Sequence, residues 1–278
     1  RFDRGIGMTN LGAPDVNVDR YVVIPSTTDT DILYWMTQAR LIGGDGATLW
    51  TYRISTATWT KIGGTALNGS WSQPQDNGQV VTNAEGTDGY LYVSVGGGTI
   101  NKAQVWRGNM HVTPTTWTRI GGVANENGGW AAGTFRALRV HWNDVYLYAG
   151  LQGASNGDAE VWRWDGAAWT KIAGDGVNGS WAAGTKLGAA QLASVGNILA
   201  VGLYGSVAGD AEIWTCDTAD YAFTQNAGDG INGSWTGRLT TYGLITDPFL
   251  EGYFYVGLGN VLGTGLIYGA TVPCVDEA

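Results

Sequence analysis

Residues Ala159–Trp181 read A-E-V-W-R-W-D-G-A-A-W-T-K-I-A-G-D-G-V-N-G-S-W, and the way this segment pairs with itself sets the architecture. Its first half alternates: Val161 and Arg163 fall on one face of an extended strand, Trp162 and Trp164 on the other. Asp165-Gly166 makes a tight turn, and Trp169 to Ile172 returns as a second short strand. Turn residues between two period-two runs make this a β-hairpin. The hairpin continues into Gly174-Asp175-Gly176-Val177-Asn178-Gly179-Ser180-Trp181, where glycines supply positive φ angles and the final tryptophan is a large apolar anchor.

The same unit recurs along the chain. Ala47 to Trp71 carries L-W-T-Y-R, T-W-T-K-I-G-G and L-N-G-S-W, and the next copy carries V-W-R, T-W-T-R-I-G-G and E-N-G-G-W, ending at Trp130. A further copy, with A-E-I-W-T-C and A-F-T-Q-N-A-G-D-G-I-N-G-S-W, ends at Trp235. The first-strand aromatics are Trp50, Trp106, Trp162, Trp214 and, more weakly, Tyr268, at separations of 56, 56, 52 and 54 residues. A period of roughly fifty, with about four strands per unit, marks a radial repeat.

The expected fold class is all-β: a five-bladed β-propeller of four-stranded antiparallel blades. A single domain spans residues 1–278, with blades at about 19–63, 78–121, 135–173, 189–226 and 240–270. Phe2–Gly7, within an N-terminal segment of residues 1–13, reads as an outer strand without the strands that should precede it. Leu266–Gly269 reads as a third strand without a fourth. The N-terminal strand is therefore expected to complete the last blade, which removes the exposed edges of an open array. The start at Arg1, with no signal segment behind it, points to maturation or to a fragment of a longer chain.

Composition limits the partners. Charged residues are 14% of the chain, the net charge is -9, and no basic cluster occurs. Nucleic acid and anionic membrane surfaces both need concentrated Lys and Arg, so neither is expected. No apolar run reaches the roughly eighteen residues of a transmembrane helix, so no membrane insertion is expected. Cys216 and Cys274 fall in or just after corresponding strands of the last two repeats. They read either as a disulfide between neighbouring units, which would imply an oxidising compartment, or as two buried free thiols.

Two chemistries fit the repeated loop. As a sugar pocket, it would stack an indole on the C–H face of a pyranose while Asp, Asn and backbone amides bridge hydroxyls. The candidate ligand-binding residues are then Asn68, Trp71, Asn127, Trp130, Asp175, Asn178, Trp181, Asp229, Asn232 and Trp235. As packing, Asn-Gly makes the turn and Trp plugs the space between blades. Calcium is a weaker reading, since each loop offers at most one Asp and one Asn. No cofactor and no metal site is called for.

Enzyme motifs are missing: no G-x-S-x-G elbow, H-E-x-x-H, P-loop or paired-cysteine zinc spacing occurs. His111 and His141 stand alone and read as structural. The expected inner strands (V-V-I, Q-V-V-T-N, L-R-V-H, Q-L-A-S and Y-G-L-I-T) hold no carboxylate, and a glycosidase needs two. Asp19, Asp76, Glu85 and Asp247 lie near the ends of these strands at no shared position. No catalytic residue is assigned.

On the repeated A-E-V-W-R…W-T-K-I…G-D-G-V-N-G-S-W, the chain resembles Trp- and Gly-rich propeller repeats of secreted bacterial and phage-encoded proteins. It is also similar in plan to the tachylectin-type five-bladed propeller lectins, with their outer W-x-x-x-x-x-x-I-G-x-G-G-W rhythm. The expected function is a non-enzymatic, lectin-like recognition module with several similar sites, at an extracellular, virion or cell-surface location. Its partner would be a glycan or surface polysaccharide. Two alternatives stand beside it: a structural or adhesive part of a phage particle or cell-surface assembly, contacting other subunits, and a glycoside hydrolase.

Overall fold

The computed structural model describes residues 18–26, 29–39, 47–64, 66–71, 82–96, 103–110, 115–122, 125–130, 135–153, 159–205, 209–238, 240–246, 253–259 and 266–271. These residues are all-β, with three one-turn 3-10 segments at Leu67–Gly69, Glu126–Gly128 and Val177–Gly179 and no α-helix among them. No helix among them is long and apolar enough to cross a membrane.

The strands run in antiparallel groups. β1 (Val18–Pro25), β2 (Ile32–Ala39), β3 (Thr48–Arg53) and β4 (Thr58–Gly63) form one sheet. A second is made of β5 (Thr82–Glu85), β6 (Tyr90–Val95), β7 (Gln104–Asn109) and β8 (Thr116–Gly121). The pattern repeats in β9 (Phe135–Trp142), β10 (Leu147–Gly153), β11 (Glu160–Trp164) and β12 (Trp169–Ala173). A fourth group is β13 (Gly188–Val195), β14 (Ile198–Tyr204), β15 (Ile213–Asp217) and β16 (Phe223–Ala227). β17 (Thr240–Thr246), β18 (Tyr253–Gly259) and β19 (Leu266–Thr271) follow.

Within each group, strand order in space follows order in the chain. Single pairings, Gln152 with Gly188 and Tyr204 with Thr240, join the last three groups into one curled sheet. The first strands β5, β9, β13 and β17 lie beside one another in sequence, with β1 next to β5. Glycine permits the close approach of β10 to β13, because a Cβ on Gly150 would stand 2.6 Å from the Ala189 carbonyl oxygen.

Both faces of the second, third and fourth groups are buried, one against each neighbour, so alternating side chains enter different cores. Val161 packs toward the fourth group with Leu199, Val201 and Leu203, while Trp164 packs toward the second with Val105 and Ile120. Four such cores occur between successive groups. Burying a tryptophan removes on the order of 200 Å² from water, which explains why the repeat uses so many of them.

The repeated loop makes each seam. Trp71, Trp130, Trp181 and Trp235 are each 5% exposed or less, and their indole N–H groups donate to the carbonyls of Ala47, Ala103, Ala159 and Ala211. Further indoles cross the seams: Trp117 donates back to the Ile62 carbonyl at 2.6 Å and Trp169 to the Ile120 carbonyl at 2.8 Å. Gly174, at φ 104, is fixed as glycine by the Ala159 carbonyl oxygen, 2.5 Å from where its Cβ would stand.

The expected closing strand Phe2–Gly7 lies outside the described residues, as does Cys274. Cys216 is a free thiol, buried between the third and fourth groups, and burial with nearby Asp217 and Asp220 pushes its pKa up to about 12.

Candidate functional site

The expected sugar-pocket residues are spread one set per seam and are not gathered into one cleft. The tryptophans already have ring partners: Trp71 lies edge-on to Trp117 at 5.3 Å, Trp130 to Trp169 at 5.1 Å and Trp181 to Trp214 at 6.0 Å. Their faces are committed to packing, so none is open for a pyranose. Asn68, Asn127, Asn178 and Asn232 adopt left-handed backbone angles with φ between 52 and 54. Asn127, Asn178 and Asn232 also donate through Nδ2 to the carbonyls of Ile120, Ile172 and Asn226. These are turn-closing bonds, the reason the repeat keeps Asn at this point. Asp229 likewise takes a left-handed angle (φ 42), and Asp175 forms an ion pair with Lys171 at 2.5 Å.

Buried carboxylates occur away from the inner strands. Glu160 binds Lys171 and accepts a hydrogen bond from the Trp162 indole, while burial raises its pKa against the lowering effect of Lys171. In the fourth group Lys186 contacts Asp210 at 3.1 Å and Glu212 at 2.9 Å, and Glu212 accepts from Trp214. Each acid pair thus closes on one ammonium. Among the described residues no group of three or more metal-ligating side chains occurs. The side chains of Asp19, Asp76, Glu85 and Asp247 lie outside them.

A different cluster sits on the inner strands. Arg139 and His141 are two apart on β9 and share one face, directed toward β13. His141 Nε2 meets Ser194 Oγ of β13 at 2.7 Å. Burial, with the Arg139 cation beside it, pushes the His141 pKa down to about 4. The imidazole is therefore a neutral base at neutral pH. Arg139 is half-buried; its Nε has no acceptor, and the guanidinium has no ion-pair partner among the described residues. Burial lowers its pKa, yet an arginine remains charged at any working pH.

A neutral base beside a desolvated cation can move a proton and stabilise the negative charge that results. The sequence reading treated His141 as solitary. The missed signal is R-V-H, which places Arg139 and His141 on one face of an inner strand.

No protein-family model and no curated protein matches the chain. Solved structures do. A GH74 xyloglucanase from Xanthomonas campestris matches at TM-score 0.56 and 13% identity, over 92% of this chain and 37% of that one. One of two prolyl endopeptidases matches at 0.55 and 13%, over 90% and 33%. A PL25 ulvan lyase bound to -[GlcA(1-4)Rha3S]- matches at 0.51 and 11%, over 87% and 66%. The fold is of the β-propeller type. The chain spans about a third of the length of the xyloglucanase and the endopeptidase.

These neighbours carry no lectin, phage or adhesion protein among them, and the tachylectin resemblance gains no support. The expectation of a non-enzymatic recognition module is overturned: the neighbours are enzymes, several of them carbohydrate-active. The error has a physical source. Counting inner-strand carboxylates tests for one reaction only; the inner strands β1 and β5 do include Asp19 and Glu85, and β9 carries a base and a cation that such a count passes over.

Proposed function

We propose that the chain is a carbohydrate-processing enzyme built on five four-stranded blades, with Phe2–Gly7 completing the last. Its reaction centre is the inner-strand pair β9 and β13, with His141 as proton acceptor, Ser194 holding the imidazole and Arg139 stabilising developing negative charge. The observation that carries this reading is the His141–Ser194 contact beside the uncompensated Arg139. The xyloglucanase, the ulvan lyase and an oligogalacturonate lyase of TM-score 0.50 support the class of substrate. A polysaccharide substrate goes with an extracellular or cell-surface location.

A second reading, glycoside hydrolysis, is favoured by Asp210 and Glu212, two buried acids on one lysine. It is weaker because both acids are spent on one ammonium, and Glu212 also accepts from the Trp214 indole, so neither stands free to face a glycosidic oxygen.

The test is release of new reducing ends from plant and algal polysaccharides. His141→Gln should lower the rate by about 10²- to 10⁴-fold, the usual share of a positioned base, with the circular dichroism spectrum unchanged. A folded His141→Gln protein of full activity removes the proposed centre. Loss only on Asp210→Asn or Glu212→Gln would select the hydrolytic reading.

A further inference from the structure

We infer that the sugar ring taken beside Arg139 is a uronate, and that the chain cleaves it by β-elimination. This rests on the carbohydrate-processing reading and names its substrate class and bond chemistry.

The charge pattern carries the argument. The protein has 24 acidic and 15 basic residues, so a cation has many opportunities to find a carboxylate. Arg53 pairs with Asp31, Arg119 with Glu126, Lys171 with Glu160 and Asp175, and Lys186 with Asp210 and Glu212. Arg107 and Arg163 lie over the rings of Tyr90 and Tyr146 at 4.5 and 4.7 Å. Arg139 has neither kind of partner among the described residues, although it is half-buried and its Nε is shut off from water.

An unpaired, partly desolvated cation is costly to hold, and such groups mark sites whose counter-charge arrives with a ligand. The anion must also suit His141 two residues along the same face. A uronate fits both, since its carboxylate is bonded to the carbon that carries the acidic proton.

The step balances without a co-reactant. The Arg139 guanidinium donates hydrogen bonds to the carboxylate and stabilises charge delocalised onto it as His141 takes the C5 proton. The C5–H electron pair becomes the C4=C5 double bond, and the C4–O bond breaks. The departing oxygen leaves as a hydroxyl, taking up the proton released from His141, and forms a new reducing end. No water is consumed and nothing is oxidised or reduced. Ser194 is a positioning residue here, holding the imidazole from the neighbouring strand.

The experiment uses the full chain and three polymers: polygalacturonate or a glucuronate–rhamnose polymer, the same polymer with its carboxyls reduced to alcohols, and neutral xyloglucan. Reducing ends and the ultraviolet absorbance of the conjugated alkene are read together. Expected are equal yields of both on the uronate polymer, and a loss of at least about 100-fold on its reduced form. Arg139→Met should show the same loss on the uronate polymer and Arg139→Lys a partial one. Reducing ends without alkene, or equal rates on the reduced polymer, overturn the inference and leave the carbohydrate-processing reading standing. No release from any polymer overturns both. If Arg139→Met fails to fold, the comparison of polymers with the unaltered protein decides.

Discussion

At the scale of single residues, His141 ties pH to stability. Its pKa falls from 6.5 to about 4 in the folded chain, so the unfolded chain takes up this proton first as pH drops. Stability is full above about pH 6.5 and drains between there and pH 4. At about 1.4 kcal/mol per unit, the loss is on the order of 2 to 3 kcal/mol. The charged group facing the ring is Arg139 on its own strand; β13 supplies the neutral Ser194. Denaturation curves at pH 7 and pH 4 should differ less for His141→Gln than for the unaltered chain, by about that amount. An equal pH dependence in both would show that His141 is not the group responsible.

At the scale of elements, the seams hold the strands in place. Trp181→Ala deletes a buried indole together with its hydrogen bond to Ala159 and should cost about 3 to 5 kcal/mol. Trp162 is only partly buried and is held by Glu160 at its edge, so Trp162→Ala should cost about 1 to 2 kcal/mol. Guanidinium titration of both variants checks the order; a larger loss at Trp162 would mean the seam is misassigned. This part of the fold was legible because it is repeated. The alternation at Val161 and Trp164, the Asp165-Gly166 turn and the N-G-S-W loop occur in several copies, and each copy supports the others. What repetition does not reveal is what it means: the loop tryptophans read equally well as platforms or as wedges until their faces are seen covered. Arg139, His141 and Ser194 occur once, and the His141–Ser194 contact joins residues 53 apart in the chain. Periodicity could not expose a pair that breaks it.

At the scale of the whole molecule, an ion-paired cluster ties the loop entering β13 to the segment ahead of β15. Lys186, in the loop entering β13, is 6% exposed and holds Asp210 and Glu212 ahead of β15. Lys186→Met leaves two enclosed carboxylates without their cation and should cost about 3 to 5 kcal/mol at neutral pH. Guanidinium titration of Lys186→Met beside the unaltered chain checks this, and a loss under about 1 kcal/mol would show that the two carboxylates do not depend on this cation. The indoles that cross the seams have a direction. Trp117 and Trp169 each reach backward, to a carbonyl already laid down about fifty residues earlier. A segment leaving the ribosome meets its acceptor on a segment made before it, an order of contacts that favours assembly from the N-terminal groups onward.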